Sequence, residues 1–343
     1  MAAGPRPAAG TRRRRARRNT TRRHLDPEVV RRELRVVRAD LHCTAARLTG
    51  GDADRLEIAA TLAADAGLEV WLSPFTCGLT IDALLDVVVD CAERAERAER
   101  LRRRGAEVVL LTGSELSLFN VGFMPGDTLA ESVGLLATPQ RLRELLPGVR
   151  ERVDDFLRTA VAPARERFGG RVSYASLPFE GVDWTPFDLV STDAGYRSVE
   201  VAEGYRDGIR ALVAQGKPVA IIEFGCTTHR GAADLGGRGD SIVEWNEDGT
   251  PARLTGDPVR DEDEQATYLR ELLDIFAAEG VDTAVVNTFA RYDLPHRDDP
   301  RTDFDMAGYG VVKVLEDRLD DSYPDMAWEP NAAFAALADR YRG

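Results

Sequence analysis

Two glutamates stand out because of the residues that precede them. Lys217-Pro218-Val219-Ala220-Ile221-Ile222-Glu223-Phe224-Gly225 runs four apolar residues without a break, then presents one carboxylate before an aromatic and a glycine. Glu107-Val108-Val109-Leu110-Leu111-Thr112-Gly113-Ser114-Glu115 has the same design. A short, uninterrupted apolar run between turn signals reads as a strand buried on both faces, the condition of a strand in a parallel sheet. A carboxylate at the C-terminal end of such a strand is held at the mouth of the sheet, where parallel α/β barrels carry out chemistry. Two carboxylates about 5 to 5.5 Å apart can break a glycosidic bond between them, one as nucleophile and the other as acid and then base.

These strands need a scaffold, and 343 residues, 43% of them hydrophobic, suffice to bury a large core. Strands are predicted at 41–48, 68–73, 107–115, 172–176, 187–192, 218–223 and 283–289. Helices are predicted before and between them, at 27–39, 53–66, 81–105, 139–168, 198–215 and 261–279. Asp26-Pro27-Glu28 is a helix start, with Asp26 as N-cap and Pro27 at the first position. Asp248-Gly249 suggests a small hairpin within 242–254. A further strand (310–314) and a last helix (331–341) complete the C-terminal part. Such alternation without a linker reads as one α/β domain, residues 26–343, with a mainly parallel sheet. Its length favours a (β/α)8 TIM barrel over an open sheet. No Gly-x-Gly-x-x-Gly follows the first strands and no phosphate loop occurs, which disfavours nucleotide-binding open sheets.

Charge is divided unevenly. Residues 1–25 hold nine arginines and no acid, and are expected to be a disordered tail. The remaining 318 residues carry 36 basic against 58 acidic side chains, so nucleic acid is not an expected partner except for the tail. No apolar run approaches the roughly 20 residues of a membrane span, and no apolar stretch follows the basic segment as in a secretory signal. Cys43, Cys77, Cys91 and Cys226 lack C-x-x-C spacing, and the four histidines lack paired-ligand spacing. The expectation is reduced thiols in a cytoplasmic protein, with no structural zinc and no cofactor.

Read together, the strand ends resemble the retaining glycoside hydrolases built on a TIM barrel. That superfamily carries its acid/base glutamate at the end of strand four and its nucleophile at the end of strand seven. If the strand through Arg47 is the second, Glu115 ends the fourth and Glu223 the seventh. The resemblance then implies Glu115 as acid/base and Glu223 as nucleophile, with Arg47 and Tyr196 supporting the nucleophile. Ser114 stands where the superfamily usually has an asparagine that contacts the sugar 2-hydroxyl, and Thr288-Phe289 where it usually has tryptophan. Strand one should lie just before Asp26, where the arginine-rich tail stands, so it is expected to be missing or altered. Segments 41–74, 107–123 and 223–239 also resemble bacterial proteins labelled abortive infection proteins, which implies phage defence.

Trp71, Tyr174, Trp184 and Phe289 are candidate faces for stacking on a sugar, with core packing as the plain alternative. His229 and Arg230 could bind a substrate oxygen or phosphate, or belong to a solvated loop. Asp193 and Glu180 are further acidic candidates at the mouth. The partner implied is a carbohydrate or other small molecule. Three readings stay open: hydrolysis, transfer or elimination on the same carboxylate pair, and a defence protein that binds a ligand without hydrolysing it.

Overall fold

A computed structural model describes residues 21–101, 107–126, 129–136 and 138–342. Most of the arginine-rich tail, the end of the helix expected to reach residue 105, and Asp127 lie outside the described residues. The first helix, Pro27–Ala39, starts as its sequence dictates: the Asp26 carboxylate accepts from the Glu28 N–H at 2.9 Å, and proline occupies the first turn.

Seven strands then form one parallel succession. Four of them, β1 (Ala45–Gly50), β2 (Glu69–Pro74), β3 (Val108–Ser114) and β4 (Arg171–Ala175), pair in that order. The next is β5 (Val190–Thr192), which joins β4 through the Ser176–Thr192 bridge and pairs in turn with β6 (Val219–Phe224). An excursion follows, in which β7 (Val243–Trp245) and β8 (Pro251–Leu254) make the predicted hairpin. The seventh parallel strand, β9 (Thr283–Val286), pairs with β6. Last come β10 (Val312–Val314) and β11 (Trp328–Pro330), an antiparallel pair outside the parallel succession, and the helix Ala332–Arg342. This is the architecture of a (β/α)8 barrel.

Three strands are shorter than their sequence suggests, and one of them, predicted to reach Phe289, ends at Val286, where the Thr288 N–H turns to the Tyr309 carbonyl. The one predicted from Leu41 begins only at Ala45, because the Leu41 and Cys43 N–H groups bond back to Val36 and Val37 and extend the helix exit. The one predicted from Phe187 begins at Val190, because the Phe187 N–H closes a turn on the Trp184 carbonyl.

Side-chain alternation sorts the core. Trp71, Val109, Leu111, Ala175, Ala220 and Ile222 meet inside the barrel, while Val108, Leu110, Val219 and Ile221 pack outward against the helices. Among the described residues no strand precedes β1. It pairs only with β2, and β9 only with β6, so two half-buried edges face each other. A cavity of about 1960 Å³ lies there, lined by Ala46 and Leu48 on one side and Ala284 and Val286 on the other. Arg47 and Glu223 also line it. No helix among the described residues is long and apolar enough to cross a membrane.

Candidate active site

Both glutamates are aimed by irregular strand ends. On β6, alternation would put Phe224 inside the barrel after Ala220 and Ile222. The pairing with β9 instead shifts between Ile221 and Phe224. Phe224 consequently joins Val219 and Ile221 on the outside, 5.3 Å from the Phe276 ring, and Glu223 is turned toward the mouth. A bulge that re-aims one side chain has this effect. On β3 the pairing with β4 shifts between Leu111 and Ser114, which turns the Ser114 hydroxyl inward. Glu115 follows in the left-handed region, φ 47°, a conformation a non-glycine residue holds only under constraint. The constraint is visible: its N–H donates to the Ala175 carbonyl at 2.9 Å, and its carbonyl accepts from Leu118 at 3.1 Å.

Arg47 gathers the site. Its guanidinium, 3% exposed, donates to Glu223 Oε1 at 2.6 Å, the Ile222 carbonyl at 3.1 Å, Ser73 Oγ at 3.1 Å and Ser114 Oγ at 3.2 Å. It lies 3.4 Å from Asp193 Oδ1. The second oxygen of Glu223 accepts from the Tyr196 hydroxyl at 3.1 Å and from Asn287 at 3.4 Å, and Asn287 also donates to the Tyr196 oxygen at 2.6 Å. Glu223 is 18% exposed, so a carboxylate held by three donors still faces the cavity.

Oxygens of Glu115, Asp193 and Glu223 lie within 4.8 Å of one another. Burial pushes the Glu115 carboxyl up to about 8; the negative charge of Glu223 adds to this and Arg47 opposes it. Burial, and then Glu223, raise the Asp193 carboxyl well above the usual range. The same two causes raise the Tyr196 hydroxyl, which keeps it a donor. Among the described residues this is the one group of His, Cys, Asp or Glu side chains close enough to share a cation, and Arg47 already supplies its positive charge.

Sequence reasoning brought together Glu115, Glu223, Arg47, Tyr196, Asp193 and Ser114. The role expected of Ser114 changes, since it is fully buried against Arg47 and Ser73 and has no surface for a sugar. Trp71 and Tyr174 are likewise fully buried and offer no stacking face. Trp71 fills the barrel interior. The Tyr174 hydroxyl accepts from the Leu116 N–H at 2.9 Å and donates to the buried Glu180, which fixes the turn after Glu115. His229 is buried, its ring nitrogens engaged by the Gly239 and Arg230 carbonyls, and Arg230 reaches out to Asp261. Phe289 packs edge-on against Trp328 at 5.1 Å, and Trp184 against Phe187 at 5.7 Å. Of these four, Phe289 lines the cavity that Arg47 and Glu223 also line.

Ser73 and Asn287 were not anticipated. The polar end of the apolar run Val285-Val286-Asn287, the same design as the two glutamate strands, was the signal for Asn287.

Gly195 sets the approach to β6 of the loop after β5, which carries Asp193 and Tyr196, through a bridge to Phe224. A Cβ there would lie 2.1 Å from the Glu223 carbonyl oxygen and 2.4 Å from Phe224 Cβ. Gly195→Ala therefore has to move Asp193 and Tyr196 away from Glu223. We expect about 3 kcal/mol of lost stability, at the upper end for overpacking, together with loss of any activity. An alanine variant as stable as the wild type by urea denaturation would contradict this packing.

The fold is one that several solved barrel structures share. Solved structures with this fold include a GH113 beta-1,4-mannanase, at TM-score 0.56 and 18% identity over 92% of this chain and 93% of that one. The GH113 beta-mannanase AaManA from Alicyclobacillus acidocaldarius gives 0.55 and 15% over 93% and 92%. A Bacteroides uniformis beta-glucuronidase gives 0.55 and 12%, covering 93% of this chain and 33% of that one. No protein-family model matches the chain, and no curated protein sequence does.

Proposed function

We propose that this chain hydrolyses a glycosidic bond with retention of anomeric configuration. The observation that carries the reading is the spacing of Glu115 and Glu223, whose oxygens come within 4.8 Å at the barrel mouth. Inverting enzymes hold their carboxyls about 6.5 to 9.5 Å apart to admit a water, so this spacing suits direct attack. In the first step the protonated Glu115 carboxyl gives its proton to the glycosidic oxygen. The Glu223 carboxylate attacks the anomeric carbon, and the bond to the leaving group breaks. In the second step Glu115, now a carboxylate, takes a proton from water, whose oxygen attacks the same carbon and releases Glu223. Arg47, Tyr196 and Asn287 hold Glu223 in place between the steps. The solved neighbours named above act, by their names, on beta-linked sugars, and β-glycosides, including β-1,4-mannans, are the substrate class to try first. The phage-defence setting implied by sequence resemblance finds no support among these comparisons and forms no part of the proposal.

The test is a panel of aryl β-glycosides and β-1,4-linked oligosaccharides, with proton NMR following the anomer released first. A β-anomer from a β-glycoside supports the reading, and an α-anomer overturns it. A 2-deoxy-2-fluoro glycoside with a good leaving group should leave a covalent adduct, which peptide mass spectrometry should locate on Glu223.

A further inference from the structure

The proposed chemistry uses two of the three clustered carboxylates, and the third has a distinct environment. Asp193 is 2% exposed, and its Oδ2 has no hydrogen-bond partner. Its backbone N–H donates to the Ser176 carbonyl at 2.9 Å, which fixes the main chain that carries it. The charged and titratable groups facing it are Arg47 from β1, Glu115 after β3, Glu223 from β6 and Tyr196 from its own loop.

Charge counting decides its state. Three carboxylates share this space with one guanidinium, and Arg47 sits closer to Glu223, at 2.6 Å, than to Asp193, at 3.4 Å. Like charges this near each other out of water do not all ionise. A bare Asp193 carboxylate would leave Oδ2 buried with nothing to accept from, whereas a proton makes it a donor. The acceptor within reach is Glu115.

We propose that Asp193 is a positioning residue that keeps a proton throughout turnover and donates it in a hydrogen bond to Glu115. This rests on the retaining reading for its consequence but not for its detection. When Glu115 is the carboxylate of the second step, the bond becomes charge-assisted and stabilises that state. Asp193 thus sets the pH at which Glu115 gives up its proton.

Detection needs no substrate. Infrared spectra at pH 7 of Glu115→Gln and of Glu115→Gln with Asp193→Asn should differ by one protonated-carboxyl stretch, present in the first and absent from the second. A carboxylate band in that difference instead overturns the proposal, whether or not the chain turns over any glycoside. On a substrate, Asp193→Asn keeps a donor and removes no charge, so the alkaline limb of kcat/KM should stay in place. Asp193→Leu, of similar shape and without a donor, should move that limb up by about one pH unit. An ionised Asp193 predicts a downward move in Asp193→Asn, because a repelling charge is removed, and that result refutes the assignment.

Discussion

Glu223→Gln should lower kcat on the order of 10⁵-fold or more, the scale on which removal of a nucleophile acts. The amide keeps an oxygen for Arg47 but, uncharged, is too weak a nucleophile to hold an anomeric carbon as the carboxylate does. Stability should change far less. Breaking a buried ion pair by removing one partner costs about 3 to 5 kcal/mol when the remaining charge is stranded. Arg47 is not stranded, since it retains Ile222 O, Ser73 and Ser114, and Asp193 stands 3.4 Å away and can release its proton to become the counter-ion. The loss should therefore fall below that range. Turnover within tenfold of wild type would remove Glu223 as nucleophile. A melting transition lost altogether would show that the ion pair is needed to close the barrel.

How much of this was legible in the sequence depends on how local each signal is. An apolar run ending in a carboxylate is a local pattern, and both glutamate strands were placed by it. Arg47 and Tyr196 were placed by the order of strands, which the parallel succession keeps. Direction of a side chain is another matter, because it depends on register with a neighbouring strand. The shifts at Leu111/Ser114 and Ile221/Phe224 are properties of pairs of strands, and no single strand announces them. For the same reason aromatic residues were over-read. Trp71 belongs to a strand that ends at the mouth, but it stands three residues before Pro74, is fully buried, and its indole N–H donates to Glu69 at the strand's start. Depth along the barrel, more than residue type, separates a stacking face from a core filler. Strand one was expected to be missing or altered because the arginine-rich tail stands in its place, and the run Arg12-Arg13-Arg14-Arg15 lies outside the described residues.

Glu115→Gln separates catalysis from stability in the opposite direction. With the wild-type carboxyl pushed up to about 8, kcat/KM should fall as pH rises past that value, because the acid form is lost. In the variant that limb should vanish. The rate should drop about 10²- to 10⁴-fold on substrates that need a proton on the leaving group, and much less on aryl glycosides that leave unaided. The stability effect follows from the same shift. The folded-state value lies above the ordinary 4.5, so the folded chain holds a proton that the unfolded chain has released between pH 4.5 and 8. The stability linked to this group is complete below about 4.5 and is lost as pH rises through that window. The loss amounts to about 5 kcal/mol at most above pH 8. Glutamine cannot ionise, so Glu115→Gln should match wild type within about 1 kcal/mol near pH 4 and be the more stable chain at pH 8 to 9. Urea denaturation at the two pH values measures the difference directly. Equal stabilities at pH 9 would mean that Glu115 ionises freely at the mouth. A carboxyl that does so would not hold a proton at neutral pH for a glycosidic oxygen, and the acid role would have to pass to another group.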